Sequence, residues 1–426
     1  MLRGHDETGG DISPEAQGAA LRESPRWRVL SALRNREFRL LWVSTLFASA
    51  GNWIQQITLS WLIYDATGSA LLVGSLNGAR TLPFLLAGPV GGVLSDRFER
   101  RLVLIATQVL LAVLAAGFAL MVIFDAVMTW HFFAFTFLTG IGWAINHPVR
   151  QAMVADTLPR SEIMNGVALV MAAFNVNRIA GPAVGGLLIA LLGPGPNFLI
   201  QALFFTAVAV IVLPMRTRQH EGHARSGSAL SDFKEGINYV RREPATLSLL
   251  VMIMIPAIFI LPFTSGLMPV FAEDVLRAGP SGLGLLLSAY GVGALVGPLA
   301  IAMAGDLRHR GGVVIVAGLL TGLTLAVFSQ LTVLPIAMGV LVVAGAALMV
   351  YHAMVNTLLQ TITPDAFRGR VMSLYMMDHG LVPLGSVLAG GLAQAFGAPL
   401  AFLVGGAVAT LLVVLAAVRF RSVREL

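Results

Sequence analysis

Long apolar runs alternate with short polar segments along the whole chain. A bilayer core of about 30 Å is crossed by about 20 apolar residues in a helix, and twelve runs reach that length. Backbone amides in lipid must be hydrogen-bonded within their own segment, so helices are expected, and the alternating pattern of a β-barrel is missing. The predicted fold class is an all-α membrane protein with twelve transmembrane helices. The predicted spans are 39–64, 70–94, 102–124, 130–152, 162–192, 196–214, 245–272, 281–304, 312–330, 334–358, 370–396 and 399–418.

The composition supports this fold class. Of the 426 residues, 57% are hydrophobic and only 12% are charged, whereas a typical soluble domain has about 25% charged residues. The chain has no cysteine, which excludes a disulfide framework. The net charge of +6 is scattered between apolar runs, so nucleic acid is not an expected partner. The polar segment 1–38 lacks a short apolar stretch with a cleavage site, and we predict no removable signal peptide.

The distribution of arginines predicts the orientation. Short cytoplasmic loops collect Lys and Arg. Arginines precede the first span, follow the second, eighth and twelfth, flank the exit of the fourth, and occur throughout the connection 215–244. The loops on the other side contain one Lys or Arg residue, Arg277. With twelve spans, this pattern places both termini in the cytoplasm.

The two halves of the chain repeat one pattern. The longest internal polar segment, 215–244, separates six spans from six. The histidine and proline of 147–159 recur at the same spacing in 352–364, and the glycine pair 185–186 recurs at 390–391. Parallel repeats place a substrate pathway between the halves; a repeat that serves folding alone is the alternative. The predicted domains are a partly disordered cytoplasmic tail at 1–38, a six-helix bundle at 39–214, a cytoplasmic linker at 215–244, a second bundle at 245–418 and a tail at 419–426.

The loop after the second span carries the most specific motif, with the spacing Gly-x-x-x-Asp-Arg-x-x-Arg-Arg at 92–101. A glycine lets helices approach closely, and the acid can cap the next helix or pair with an arginine. We predict a conformational latch; a plain positively charged loop is the alternative. A degenerate copy at 306–310 follows the eighth span. The predicted latch residues are Gly92, Asp96, Arg97, Arg100, Arg101, Asp306, Arg308 and Arg310.

With this motif the chain resembles the major facilitator superfamily, whose signature loop between helices two and three has this pattern. The resemblance covers essentially residues 30–420 and is strongest to the bacterial exporter branch that includes the enterobactin exporter and macrolide-efflux-like proteins. The strings at 51–55, 61–64, 150–159 and 368–374 also carry it. It implies two pseudo-symmetric six-helix bundles and secondary export.

The fifth span contains a packing motif. Proline removes a backbone donor and distorts a helix, while glycines allow tight contact with a neighbouring helix. The string resembles the motif of proton antiporters among facilitators. It favours export over import only modestly, because Gly and Pro are common in transmembrane helices. The motif residues are Gly181, Pro182, Gly185 and Gly186.

Asp378 is the one acidic residue predicted deep in a span, about 12 Å past Arg370 at helical rise. A low-dielectric cavity favours the neutral form of a carboxylate, which suits binding and releasing a proton. We predict Asp378 as the proton-coupling residue, with His379 beside it. A structural pair between Asp378 and an arginine is the alternative, since buried charges need partners.

Arg80 and Arg178 are also predicted inside spans. Because arginine keeps its proton, each must face a cavity, a carboxylate or an anionic substrate. We predict that Arg178 lines the cavity and pairs with Asp378 in one state; structural anchoring is the alternative. The other predicted cavity residues are Asn52, Gln55 and Gln56 on the first span, Asn146 and His147 on the fourth, Asn175 on the fifth, and Tyr351, His352 and Asn356 on the tenth.

The sequence contains no ATP-binding loop, metal-binding HExxH helix or nucleophile elbow, so we predict no enzyme, cofactor or metal. Together these features predict a proton-motive-force-driven exporter of a drug, siderophore or related organic metabolite. It is expected to work by alternating access in the bacterial inner membrane, with protons and lipid as further partners and a monomer as the default state. A proton-coupled nutrient importer is the first alternative; a membrane enzyme or lipid-handling factor is the second.

Overall fold

The computed structural model describes residues 30–216, 229–305, 309–420 and 424, which are almost entirely helical. The first half, residues 30–216, begins with a 3-10 turn at Ser31–Arg34 and continues with α1 (Arg36–Thr67), α2 (Ala70–Arg97), α3 (Arg100–Ile123), α4 (Thr129–Thr157), α5 (Ile163–Leu192) and α6 (Pro194–Val212). A connecting helix, α7 (Ala229–Arg242), precedes the second half. The second half, residues 244–420, contains α8 (Pro244–Phe259), α9 (Met268–Asp274), α10 (Gly279–Ala304), α11 (Arg310–Phe328), α12 (Leu334–Ile362), α13 (Asp365–Tyr375), α14 (Val382–Phe396) and α15 (Ala398–Arg419).

Eight helical segments in the described part of the chain are long and apolar enough to cross a membrane. They comprise α3, α5, α6, α8 with the turn after it, α10, α11, α12 and α15. The helices α1, α2 and α4 are also long, at 32, 28 and 29 residues, but polar side chains interrupt their apolar sequence. The all-α membrane fold predicted from the sequence is therefore confirmed.

Two spans that the sequence predicted as continuous are broken. In 245–272, a π-helical turn at Pro262–Gly266 separates α8 from α9. In 370–396, a 3-10 segment at Met376–Leu381 separates α13 from α14. Prolines lie inside or just after each break and cannot donate the backbone hydrogen bond that a regular helix needs.

Short connections reverse the chain after each span, so the helix ends form two layers. One layer carries Arg36, Arg97 and Arg100, and we call it the basic end. The opposite layer, the far end, holds the turns after α1, α5 and α14. Two of these turns are equivalent in the sequence repeat: Gly193 and Gly397 have φ values of 81° and 84°. Such values favour glycine because other side chains meet steric hindrance there.

The two halves meet along two helix pairs, α2 with α14 and α5 with α10. One apolar cluster continues across both halves and includes the far-end residues Ile57 and Phe118 of the first half. A separate cluster contains basic-end residues of the first half, among them Phe38 and Met153. The shared apolar core therefore joins the halves at the far end.

The connecting helix α7 packs on the start of α13 at the basic end. Glu235 forms an ion pair of 2.9 Å with Arg370. Tyr239 stacks on Phe367 with ring centroids 4.5 Å apart. Through these contacts α7 is attached to the second half.

Candidate functional site

A small polar cavity lies between α1 and α2, with a volume of about 20 Å³. That volume holds one water molecule. Four sequence-predicted residues meet there, Asn52, Gln55, Gln56 and Arg80, together with Asn77 and Thr136. The spacing of Asn52 and Gln56, four residues apart on one helical face, brings both to this wall.

Gln55 also has a structural role. Its Nε2 donates to Thr139 Oγ1 at 2.9 Å, and its Oε1 accepts from Gln201 Nε2 at 2.5 Å. The residue is only 6% exposed. Gln55 therefore fixes α1 to α4 and α6, while Asn52 and Gln56 remain half-buried on the cavity wall.

Arg178 reaches from α5 toward the second half. Its Nη1 lies 3.8 Å from Met349 Sδ on α12, and a thioether is a weak acceptor. Its buried Nε and Nη2 have no hydrogen-bond partner in the described part of the chain. Asn175, one turn earlier, donates back to its own helix at Met171 O, 3.0 Å away. Arg178 is therefore not paired with Asp378 in this structure.

Asp378 is buried inside the 3-10 break, where its side chain is 2% exposed. Its Oδ1 accepts from the His379 backbone N at 2.7 Å and lies 2.6 Å from His379 Nδ1. The His379 side chain is 68% exposed. The break packs against α2 and α8, so this segment lies at the interface of the halves.

Two polar residues of α12, His352 and Asn356, lie near Asp378 and His379. His352 interacts electrostatically with both Asp378 and His379. Its Nδ1 lies 2.9 Å from Leu348 O, which leaves Nε2 as the free nitrogen in the neutral ring. Asn356, one turn further along α12, accepts from Gln360 Nε2 at 2.6 Å and interacts with the Tyr375 hydroxyl, which also interacts electrostatically with Asp378. The structure thus brings together His352, Asn356 and Asp378, as a group separate from the Arg80 cavity.

Tyr351 and Asn146 lie away from the cavity where the sequence placed them. Tyr351 is 1% exposed and packs among apolar side chains of α8, α11 and α15. Successive helical residues point about 100° apart, so Tyr351 faces the bundle interior while its neighbour His352 faces the interface. Asn146 is fully buried and donates to Thr107 Oγ1 at 3.0 Å. His147, beside it, is exposed.

Arg150 is a buried cation that the sequence placed at the exit of the fourth span and within a string of the family resemblance. It is 2% exposed. Its Nη1 donates to Ser44 Oγ at 2.8 Å and Thr45 Oγ1 at 2.9 Å, and Nε lies 3.4 Å from Asn146 Oδ1. This hydroxyl and amide cage fixes α4 to α1. Its sequence signal is the adjacent pair of hydroxyl residues Ser44 and Thr45 on α1.

Several polar contacts between the halves were not predicted. Asn77 Nδ2 donates to Ser386 Oγ at 3.1 Å. At the far end, the Tyr64 hydroxyl donates to Asp274 Oδ2 at 2.5 Å. A third contact joins Ser69 Oγ to Gln394 Oε1 at 3.1 Å. Asn77 lies one helical turn before Arg80, so the two residues share a face of α2. This spacing is the sequence signal that could have indicated Asn77 as an interface residue.

Glycines allow close backbone approach at both helix crossings. A Cβ at Gly186 would lie 3.1 Å from Gly284 Cα, and one at Gly390 would lie 3.2 Å from Gly74 Cα. Both pairs lie toward the far end. The close approach of the helix backbones at these crossings therefore requires glycine, which has no side chain.

The packing motif of the fifth span also joins α5 to α1. A Cβ at Gly181 would lie 2.6 Å from Trp53 Cβ, and one at Gly185 would lie 2.6 Å from Ile57 Cγ2. Pro182 lies inside α5 and is buried, with its carbonyl oxygen directed at Gly284. The motif is therefore in contact with two neighbouring helices.

The latch motif contains an ion pair at the basic end. Arg100 Nη1 lies 2.9 and 2.8 Å from the two carboxylate oxygens of Asp156, whose side chain is 3% exposed. This contact joins the start of α3 to the end of α4. Arg101 donates to Leu213 O, after α6. Both arginines therefore connect helices of the first half.

The other latch residues are only partly described. Arg97 is exposed at the end of α2, and Arg310 begins α11. Gly92 and Asp96 belong to α2, but the surroundings of these two residues are not described. Asp306 and Arg308 lie outside the described residues altogether.

Comparison with known proteins places the chain among transporters. The family model described as "transmembrane secretion effector" matches residues 28–425. The multidrug efflux pump Tap of Mycolicibacterium fortuitum is 28% identical, over 85% of this chain and 91% of Tap. The staphyloferrin A transporter of Staphylococcus aureus is 25% identical, over 83% of this chain and 89% of that protein.

The fold also matches solved structures. A bacterial homologue of the human lysosomal transporter Spinster, in an inward-facing and unoccupied conformation, superposes with a TM-score of 0.71 at 16% identity. The match covers 95% of this chain and 98% of that protein. At this level of identity the likeness concerns the fold.

Proposed function

The chain belongs to the transmembrane secretion effector family of the major facilitator superfamily, and from this premise we propose that it is a proton-driven exporter of a small organic compound. It is a multi-pass membrane transporter and not an enzyme. The family description and the efflux function named for Tap support export as the direction. The bacterial cell membrane is the site of action.

We infer twelve spans with both termini in the cytoplasm. Eight segments meet the length and hydropathy that a span requires, and α1, α2, α4 and the broken pair α13–α14 supply the other four. The arginines at the basic end favour a cytoplasmic position for that layer. The proposed domains are one six-helix bundle on each side of the connection 215–244.

We propose that the chain works by alternating access, and that this conformation is closed at the far end. The supporting observations are the glycine crossings, the hydrogen bond of Tyr64 with Asp274, and the apolar cluster shared by both halves toward that end. With the basic end cytoplasmic, this is the inward-facing state. Export then requires these contacts to open after substrate binds from the cytoplasm.

The observation that carries proton coupling is the environment of Asp378. It is a buried carboxylate in a helix break, at the interface of the halves, hydrogen-bonded to a titratable and exposed neighbour, His379. Local 3-10 segments inside longer helices often mark hinges. In the proposed mechanism, a proton bound by Asp378 removes a charge from this hinge. The loss of that charge changes the relative stability of its two arrangements.

The test is uphill transport by Asp378→Asn. Everted vesicles with an imposed pH gradient accumulate a compound first identified by a susceptibility panel in an efflux-deficient host. We expect at least about a tenfold loss of uphill accumulation, with downhill exchange retained, because the variant keeps the size of the side chain but cannot titrate. The matched control is Asp365→Asn, whose carboxylate is 89% exposed at the start of α13. Undiminished proton-coupled accumulation by Asp378→Asn contradicts the proposal.

A further inference from the structure

Two guanidinium groups lie at middle depth in the first half. Arg80 follows the far-end start of α2 at Ala70 by about 15 Å, and Arg178 precedes the far-end terminus of α5 at Leu192 by about 21 Å, at 1.5 Å per residue. Both helices belong to the pairs through which the halves meet. Charged groups at this depth are costly unless a partner or water compensates them.

Helix α1 lies between the two arginines. Asn52 lines the cavity that contains Arg80. Its neighbour Trp53 packs on Gly181, one helical turn from Arg178. The arginines are therefore at about the level of the same turn of α1.

Neither arginine has an acidic partner in the described part of the chain. Among the described residues, no acidic side chain interacts electrostatically with Arg80 or Arg178, and the titratable group that acts on Arg178 is the Tyr290 hydroxyl. The hydrogen bonds of Asp378 go to His379. The one described hydrogen-bond contact of Arg178 is the Met349 thioether, a weak acceptor that a carboxylate readily replaces.

We propose that the transported compound is an organic anion, with its carboxylate bound by Arg178 and further negative charge compensated by Arg80. A guanidinium keeps its charge and presents a planar fork of donors that fits a carboxylate. Nε and Nη2 of Arg178, both without a partner in the described structure, supply such a fork. Asn52 and Gln56 add neutral hydrogen-bonding groups beside Arg80.

This inference rests on the proposed transport function and specifies its substrate class. It differs from proton coupling because it concerns binding, and it holds for either direction of transport. Tight binding of anions without proton-driven accumulation would contradict only the coupling proposal. Proton-driven accumulation of a cation in preference to an anion would contradict only the present one.

The experiment compares two dyes that share the xanthene ring system, the anion fluorescein and the cation rhodamine 6G. Their binding to the purified full-length protein is measured by fluorescence anisotropy. We expect fluorescein to bind at least about tenfold more tightly, because it gains charge-assisted hydrogen bonds that rhodamine 6G cannot form.

Variants assign the preference to the two arginines. Arg178→Gln and Arg80→Gln are each expected to weaken fluorescein binding by about tenfold or more while leaving rhodamine 6G unchanged or tighter. Arg178→Lys should restore part of the affinity, since it keeps the charge but loses the fork. Arg277→Gln, which removes an exposed arginine from a far-end loop, is the control for net charge.

Equal binding of both dyes, tighter binding of rhodamine 6G, or no detectable binding of fluorescein overturns the proposal. The proposal is also overturned if the ratio of the affinities for fluorescein and rhodamine 6G is unchanged in both Gln variants. Each variant is first checked by size-exclusion chromatography and thermal unfolding. If Arg178→Gln does not fold, Arg80→Gln and Arg178→Lys still decide the outcome.

Discussion

The glycine crossing between α2 and α14 predicts that one added methyl group strongly shifts the equilibrium between the closed and open far end. We expect Gly74→Ala to open the far end. A Cβ at this position would lie 2.9 Å from Gly390 Cα and closer still to the Ser386 carbonyl oxygen. Ordinary contact begins at 3.4 Å. Since both obstructing groups are backbone, no side-chain rotation relieves the clash, and the two helices must move apart.

The magnitude follows from the cost of overpacking. Inserting a methylene into a well-packed contact costs about 1–3 kcal/mol. The clash exists only while the far end is closed, so this cost changes the equilibrium between closed and open forms. A free-energy change of that size shifts the population ratio by about 5–150-fold. An open form that is minor in the original protein then becomes directly measurable.

The assay is a distance measurement across the far end. The chain has no cysteine, so spin labels on Ala126→Cys and Thr332→Cys report from exposed loops of the first and second halves. Double electron–electron resonance should show a growing long-distance population in Gly74→Ala. Gly391→Ala is the matched control, because its Cβ would meet no atom within 4 Å. Unchanged distances in a Gly74→Ala protein that unfolds at the original temperature would refute the reasoning.

Two further substitutions address the contacts at each end of the bundle. Arg100→Gln should lower the melting temperature clearly, because breaking a buried ion pair costs up to about 3–5 kcal/mol and Asp156 is 3% exposed. The exposed Arg97→Gln is its control, and equal melting of the two variants would rule out a stabilising role for the ion pair. Tyr64→Phe removes the hydrogen bond to Asp274 and should increase the long-distance population in the same spin-label assay by roughly tenfold or less, since the contact is open to water. Tyr239→Phe, on the connecting helix, is the control, and a larger effect there than at Tyr64 would contradict the assignment.

The helical spans follow from the sequence because the solvent determines them. An apolar run of about 20 residues in lipid has no alternative to internal hydrogen bonding. The breaks at Pro262–Gly266 and Met376–Leu381 do not follow in the same way. Proline occurs inside α4, α5 and α10 without ending them. Whether a proline interrupts a helix thus depends on tertiary contacts, such as the packing of the second break on α2.

The sequence indicates candidate site residues by their type, but it does not indicate the direction in which each side chain points. Polar residues in a span mark a functional or packing site, but the rotation of each helix about its axis decides which neighbour faces the interface. His352 and Tyr351 are adjacent, yet only His352 is near Asp378. The same limit applies to the glycine pair 390–391, in which only Gly390 contacts α2.

The nature of the contacts between the halves bears on how easily they separate. At the crossings, Gly74 with Gly390 and Gly186 with Gly284 bring backbone against backbone, and these atoms already have hydrogen bonds within their own helices. Separating these backbone atoms costs mainly van der Waals contact. The hydrogen bonds of Asn77 with Ser386 and of Ser69 with Gln394, beside the first crossing, must break as well. The hydrogen bond of Tyr64 lies near the exposed far end, where water can replace it at a net cost of about 0.5–3 kcal/mol. An opening cost of this order is within the range that one bound anion or one proton can supply, provided each binds the two states with different affinity.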